Sequence, residues 1–192
     1  MLAGAFAVLS SARAAVVINC VSFTGACGST LTCIGDTSVI GTGALRVTPA
    51  ASNERGAGYS TTAIVLGSGA TFSFTFQFQI TDRGGINPAD GIAFVVAQNA
   101  TGLGSLGGGL GYARVGNSVA VEFDTFNNGG LDTSSNHVAV DTNSVLANSA
   151  LATPYGVGTC TSNVGYILGC MSNGDVWTAT IDYNGTAQLL NV

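Results

Sequence analysis

The segment Phe72–Ile80, FSFTFQFQI, alternates without a break. Phe72, Phe74, Phe76, Phe78 and Ile80 occupy every second position, and Ser73, Thr75, Gln77 and Gln79 fill the gaps. Successive side chains of an extended chain point to opposite faces, so this spacing collects the large apolar groups on one side and the uncharged polar groups on the other. A helix would scatter them around its axis. The segment therefore predicts an antiparallel strand with one face on a core and one in water.

Working outward, the same period recurs. Gly91–Val96 (GIAFVV), opened by Asp90, is a continuous apolar run suited to a strand covered on both faces. Ser118–Phe126 (SVAVEFDTF) and His137–Asp141 (HVAVD) alternate. Asp175–Tyr183 (DVWTATIDY), with Trp177 as a core residue, is followed by Asn184-Gly185, a dipeptide favoured in type I′ hairpins, and Thr186–Val192 reads as the start of the returning strand. Gly102–Gly111 (GLGSLGGGLG) reads as a flexible loop between two strands. No segment keeps a 3.6-residue period. Short strands separated by Gly, Asn, Ser and Asp clusters predict an all-β, antiparallel β-sandwich. The expectation at Val192, where the hairpin is half read, is a sandwich lacking its last strands.

Bulk composition narrows the function. The chain has 192 residues, 46% of them apolar and 8% charged, with 28 glycines, no lysine and a formal net charge of −5. That is enough for one domain with a core, and it offers no basic surface to phosphates, which argues against nucleic acid as a partner. Residues 1–14, MLAGAFAVLSSARA, carry an apolar stretch from Leu2 to Leu9 before Ala12-Arg13-Ala14. This predicts a signal peptide cut after Ala14, a secreted protein, and a single domain over residues 15–192. No other stretch approaches the roughly 20 apolar residues of a membrane span. In an exported chain the cysteines oxidise. Cys160 and Cys170 are expected to close a loop together, and Cys20, Cys27 and Cys33 leave one of their number over.

Carboxylates gather in Val121–Asn143, VEFDTFNNGGLDTSSNHVAVDTN, which also holds the chain's single histidine. On a strand Glu122 and Asp124 share a face, and so do His137 and Asp141. Two carboxylates about 4 Å apart repel by roughly 4 kcal/mol at an effective dielectric of about 20. No lysine is present to relieve them, and no arginine follows Arg114. A divalent cation would. Carboxylates with amide and carbonyl oxygens suit Ca²⁺, and an added imidazole suits a transition ion such as Mn²⁺.

At these residues the chain resembles the legume-type (L-type), concanavalin A-like lectin family. The likeness rests on VAVEFDTFNN, GGLD and HVAVD in the acidic segment. Upstream it includes LRVTPA (Leu45–Ala50), GAGYS (Gly56–Ser60) and PADGIAFVVA (Pro88–Ala97), and downstream VWTATIDYNGTAQLL (Val176–Leu190). The resemblance implies a concanavalin A-like jelly-roll sandwich that binds glycans without catalysis. It implies Glu122, Asp124, Asp132 and His137 as ligands of a transition ion. It implies Asp124, Asp132, the Asn128 side chain and the Phe126 carbonyl as ligands of Ca²⁺. For sugar it implies Asp90 as acceptor, Asn128 as amide donor, Gly108 or Gly109 as backbone donor, and the Phe126 ring as a stacking face. A cis Ala89–Asp90 peptide belongs to the same pattern. The glycine loop is one residue shorter than the plant form, which leaves Gly108 and Gly109 both open. The cysteines, foreign to the plant pattern, point to a bacterial or environmental member. Such a shallow site binds weakly, near millimolar or about −4 kcal/mol, so useful avidity calls for several sites, as in a homo-oligomer.

Two other classes compete. A glycoside hydrolase on a similar jelly roll would need two carboxylates about 5–5.5 Å apart. Glu122-Phe123-Asp124 matches only the first half of E-x-D-x-x-E, because Asn127 stands where the last acid belongs. A structural or adhesive surface module would have no use for Asp90, Asn128 and Phe126.

Overall fold

The computed structural model describes residues 18–81, 88–99, 102–130, 132, 134–146, 155–156 and 170–192. The expected signal peptide and Cys160 lie outside the described residues. The strands are β1 (Leu31–Gly35), β2 (Ser38–Val39), β3 (Leu45–Arg46), β4 (Gly56–Ser60), β5 (Thr71–Phe78) and β6 (Gly91–Ala97). They continue with β7 (Ser118–Asp124), β8 (His137–Thr142), β9 (Tyr155–Gly156), β10 (Trp177–Asn184) and β11 (Leu189–Asn191). All strand pairs are antiparallel. They form a four-stranded sheet β6-β7-β8-β9, a three-stranded sheet β11-β10-β5, and two ribbons, β1-β4 and β2-β3. The all-β antiparallel fold expected from the sequence is the fold observed.

The phenylalanine face of β5 packs inward. Phe76 and Phe78 meet Phe123 of β7 at ring-centroid distances of 5.8 and 5.2 Å, and Phe74 meets Phe94 of β6 at 4.8 Å. Val121, Phe123, Met171, Ala179 and Ile181 complete this core, and Trp177 and Ile80 pack against it. Full burial of one such side chain contributes about 1.5–3 kcal/mol. The outer face of β5 stays polar, with Thr75 hydrogen-bonded across the sheet to Thr180 at 3.1 Å. The other side of the four-stranded sheet is also covered. There Ala120, Tyr112 and Val115 pack with Ala93, Val95 and Ala97, which explains the unbroken apolar run of β6.

Two local readings change. Asn184-Gly185 does not form a two-residue hairpin, because Asn184 pairs with Leu189. The Asn184 Oδ1 accepts the amides of Thr186 (3.1 Å) and Ala187 (3.0 Å), and the left-handed residue is Gln188, at φ 54°. Gly185 serves a close approach instead: a Cβ there would lie 2.4 Å from the Ala70 carbonyl oxygen. The glycine loop is not slack. Gly104 donates to Gly111, Gly111 to Ser105, and Ser105 to Ala113, around a 3-10 turn at Gly107–Gly109. Its glycines admit these contacts, since a Cβ on Gly104 would lie 2.4 Å from the Ala113 oxygen. The cysteine expectation stands: Cys27 pairs with Cys33 and leaves Cys20 over as a free thiol, and Cys170 is disulfide-bonded.

Candidate functional site

Register places the polar cluster. Across the four-stranded sheet Asp124 is flanked by Gly91 and His137, Glu122 by Ala93 and Ala139, and Ala120 by Val95 and Asp141. Glu122, Asp124, His137 and Asp141 therefore share the face opposite the phenylalanines. Small neighbours leave room for the carboxylates, yet all four are buried: Glu122, Asp124 and Asp141 are 2% exposed and His137 is 0%.

Local hydrogen bonds orient the cluster. The His137 Nδ1 lies 2.9 Å from the Ser134 carbonyl, and Nε2 lies 3.2 Å from Glu122 Oε1. A carbonyl only accepts, so Nδ1 carries the proton and donates it. The neutral tautomer would then turn a bare Nε2 toward a carboxylate, and a proton or a cation must lie between the two. After β7 the chain turns on its own acids. Phe126 N–H donates to Asp124 Oδ1 (2.7 Å), Asn128 N–H to Asp132 Oδ2 (2.5 Å), and Gly129 N–H to the Asn127 side chain (2.7 Å). This folding brings one ligand atom each of Asp124, Asp132 and His137 within 4.8 Å of one another. Glu122 joins that trio through His137.

A second group lies beside it. The Ala89–Asp90 peptide is cis. The Asp90 carbonyl is held by the N–H and hydroxyl of Thr125, at 2.7 and 3.0 Å. Its Oδ1 accepts from the Asn128 amide at 3.1 Å. The glycine turn closes in from the other side: a Cβ on Gly107 would lie 3.7 Å from Asp90 Oδ2, and one on Gly108 would lie 2.7 Å from Asn128 Cγ. Gly109 N–H is used within the turn, on the Leu106 carbonyl at 3.3 Å. Phe126, half-buried, directly follows Thr125 in the chain.

Charge is finely held here. Burial pushes the Asp124 carboxyl up to about 7, opposed by the Phe126 amide and reinforced by Asp132 and Glu122. Burial alone would lower His137, but its bond to Glu122 and the nearby Asp124 charge raise it overall. Burial also raises Asp90, against the Asn128 hydrogen bond.

Sequence reasoning singled out Asp90, Glu122, Asp124, Phe126, Asn128, Asp132 and His137, and the fold gathers them around one loop. It overlooked Thr125 and Ser134, which hold Asp90 and His137. A Thr and a Ser in polar loops carry no distinguishing local signal.

Residues 18–192 match the legume lectin domain family. The chain belongs to that family. Among its relatives, the lectin alpha chain of Lablab purpureus is 34% identical over 125 residues, covering 56% of this chain and 44% of that protein. The galactose-binding lectin of Arachis hypogaea is 42% identical over 86 residues, or 41% of this chain and 32% of that protein. Favin of Vicia faba is 33% identical over 134 residues, 66% of this chain and 51% of that one. The chain thus spans about half the length of these relatives or less. In three dimensions it resembles winged bean acidic lectin solved with methyl-α-D-galactose, with TM-score 0.63, 25% identity, and coverage of 84% of this chain and 68% of that chain. The Lotus tetragonolobus seed lectin gives TM-score 0.65 at 21% identity, covering 84% of this chain and 70% of that chain. Legume lectin family members are non-catalytic carbohydrate binders. Among the described residues, no helix is long and apolar enough to cross a membrane.

Proposed function

We propose that this legume lectin domain is a secreted, divalent-cation-dependent carbohydrate binder that leaves its ligand chemically unchanged. The observation that carries the reading is the Asp90–Asn128 pair at 3.1 Å, which abuts the glycine turn on one side and the Asp124–Asp132–His137 cluster on the other.

The residues present fit a cation. Ligands of one Ca²⁺ lie at most about twice 2.3–2.6 Å apart, roughly 5 Å, and the 4.8 Å limit of the cluster falls inside that reach. Buried acids facing one another, with an imidazole tautomer set by Ser134, match an oxygen-rich site with one nitrogen. In this reading Glu122, Asp124, Asp132 and His137 hold a transition ion such as Mn²⁺. Asp124, Asp132, the Asn128 side-chain oxygen and the Phe126 carbonyl hold Ca²⁺. The bound cations supply positive charge that offsets the buried carboxylates and fixes the Phe126–Asp132 loop.

The sugar contacts then belong to this chain's own groups. Asp90 accepts from hydroxyls. Asn128, its oxygen directed to the cation, donates through its amide. Gly108 is the better backbone donor of the two glycines considered, since the Gly109 N–H is already bonded to Leu106. The Phe126 ring offers an apolar face. Glu122, buried against His137, has no room to act on a glycosidic bond, which disfavours hydrolysis. The Cys27–Cys33 disulfide suits an oxidising, extracellular setting. Self-association into a homo-oligomer would raise the avidity of a weak site.

The test is a glycan array with and without EDTA, alongside Asp90→Asn. Methyl-α-D-galactoside is a sensible soluble competitor, given the ligand of the winged bean structure. Chelator-sensitive binding lost in the variant is expected. Binding unaffected by both treatments would overturn the reading.

A further inference from the structure

The β1–β4 ribbon touches the glycine loop at points that neither the sandwich core nor the acidic cluster requires. Arg55, just before β4, donates its Nη1–H to the Gly104 carbonyl at 2.8 Å. Tyr59, within β4, donates its hydroxyl to the Gly102 carbonyl at 2.9 Å. Burial raises the Tyr59 phenol, so that hydroxyl keeps its proton. Arg55 is itself anchored: its N–H donates to Asp36 Oδ2, and its carbonyl accepts the Asp36 N–H, both at 2.9 Å. Leu103 rests on the same ribbon, since a Cβ on Gly35 would lie 2.8 Å from its Cδ2.

The far end of the loop faces Asp90 and Asn128, through Gly107 and Gly108. Between the two ends the loop is cross-tied by the Gly104–Gly111 and Ser105–Ala113 hydrogen bonds. Six of the ten residues Gly102–Gly111 are glycine, so the untied backbone would sample many conformations. Holding Gly104 therefore limits where Gly108 can sit.

We propose that Arg55 is a positioning residue of the sugar site: its guanidinium clamps Gly104 and thereby sets the Gly108 backbone against Asp90 and Asn128. The binding consequence rests on the function proposed above; the clamp itself rests on the geometry alone. A charged donor on a carbonyl is stronger than a neutral one, and Arg55 reaches the loop from an element that contributes no ligand group. Arg55→Met keeps the apolar stem and removes the donors. Arg55→Lys restores a cation and part of the reach.

The experiment uses the full chain with Ca²⁺ and Mn²⁺ present. It measures backbone hydrogen exchange, bound metal, and affinity for methyl-α-D-galactoside, methyl-α-D-mannoside and N-acetylgalactosamine. In Arg55→Met, exchange at Gly104, Ser105 and Gly111 should rise several-fold while β7 stays protected and metal content is unchanged. The Kd for whichever sugar the parent binds should rise about tenfold, the loss of roughly one charge-assisted hydrogen bond. Arg55→Lys should recover most of both effects. Unchanged loop exchange, an equal acceleration in β7, or an unchanged Kd would overturn the proposal. Failure of the parent protein to bind any glycan would instead overturn the sugar-binding reading, and the exchange comparison would still judge the clamp.

Discussion

Val121 and Phe123 leave β7 on one side; Ala120, Glu122 and Asp124, one residue out of step, leave it on the other. Both sides are buried to a few per cent exposure, but by opposite means. On the first, phenylalanines from β5, β6 and β7 fill space with nothing left to satisfy. On the second, carboxylates and an imidazole are packed among small residues, where burial pushes Asp124 up to about 7 and the neighbouring acids add to it. Apolar burial is favourable by itself, whereas burial of charge is costly unless a partner of opposite sign is supplied. The aromatic side thus holds the sandwich together. The acidic side is stable in its ionised form only with help.

Substitutions can break this contrast. Phe123→Ala removes a ring shared by Phe76 and Phe78, and should cost about 3–5 kcal/mol by urea denaturation, equally with and without metal. A loss that appears only in the metal-free protein would mean the two sides are not independent. Next in size is the cation effect: free Ca²⁺ alone, at roughly 100 times its Kd, should add about 2.7 kcal/mol at pH 7.5, seen as a higher Tm than in EDTA. No gain would show that the acidic side needs no partner.

The same effect should depend on pH. An unfolded Asp124 ionises near its ordinary value of 3.8, while the folded one holds its proton to about 7. Between these values the metal-free folded state binds a proton that the unfolded state lacks, so its stability falls as pH rises from about 4 to 7. His137, raised above 6.5, acts in the same sense: its contribution is complete below 6.5 and disappears as pH climbs through the folded value. The Tm gained from metal should therefore be smallest near pH 5 and largest near pH 8. A gain that shrinks with rising pH would contradict this. The smallest effect on stability belongs to Asp90→Asn, which should leave Tm nearly unchanged and weaken sugar binding by tenfold or more, measured by calorimetry.

Legibility in the sequence followed the range of the interactions. The phenylalanine face of β5 was readable because a two-residue period is a local property. The acidic face was readable for the same reason, with Glu122 and Asp124 two apart and His137 and Asp141 four apart. The hairpin after β10 departs from its local signal. Asn184-Gly185 has two-residue turn chemistry, but Asn184 caps the amides of Thr186 and Ala187 instead, and Gly185 is spoken for by Ala70, far away in the chain. The rigidity of the glycine loop is not legible in the sequence, because composition reports freedom and not the ties that remove it.

By itself the sequence determined the strand character, the division of β7 into an apolar and an acidic side, and the stock of groups able to meet a cation or a sugar. Only the tertiary structure decided that Asp90 meets Asn128, that Thr125 holds Asp90, and that Arg55 reaches Gly104. The reason is physical. Alternation is set by backbone geometry within a few residues, whereas the meeting of residues 38 or 49 positions apart depends on how sheets and ribbons pack, and no local pattern encodes that.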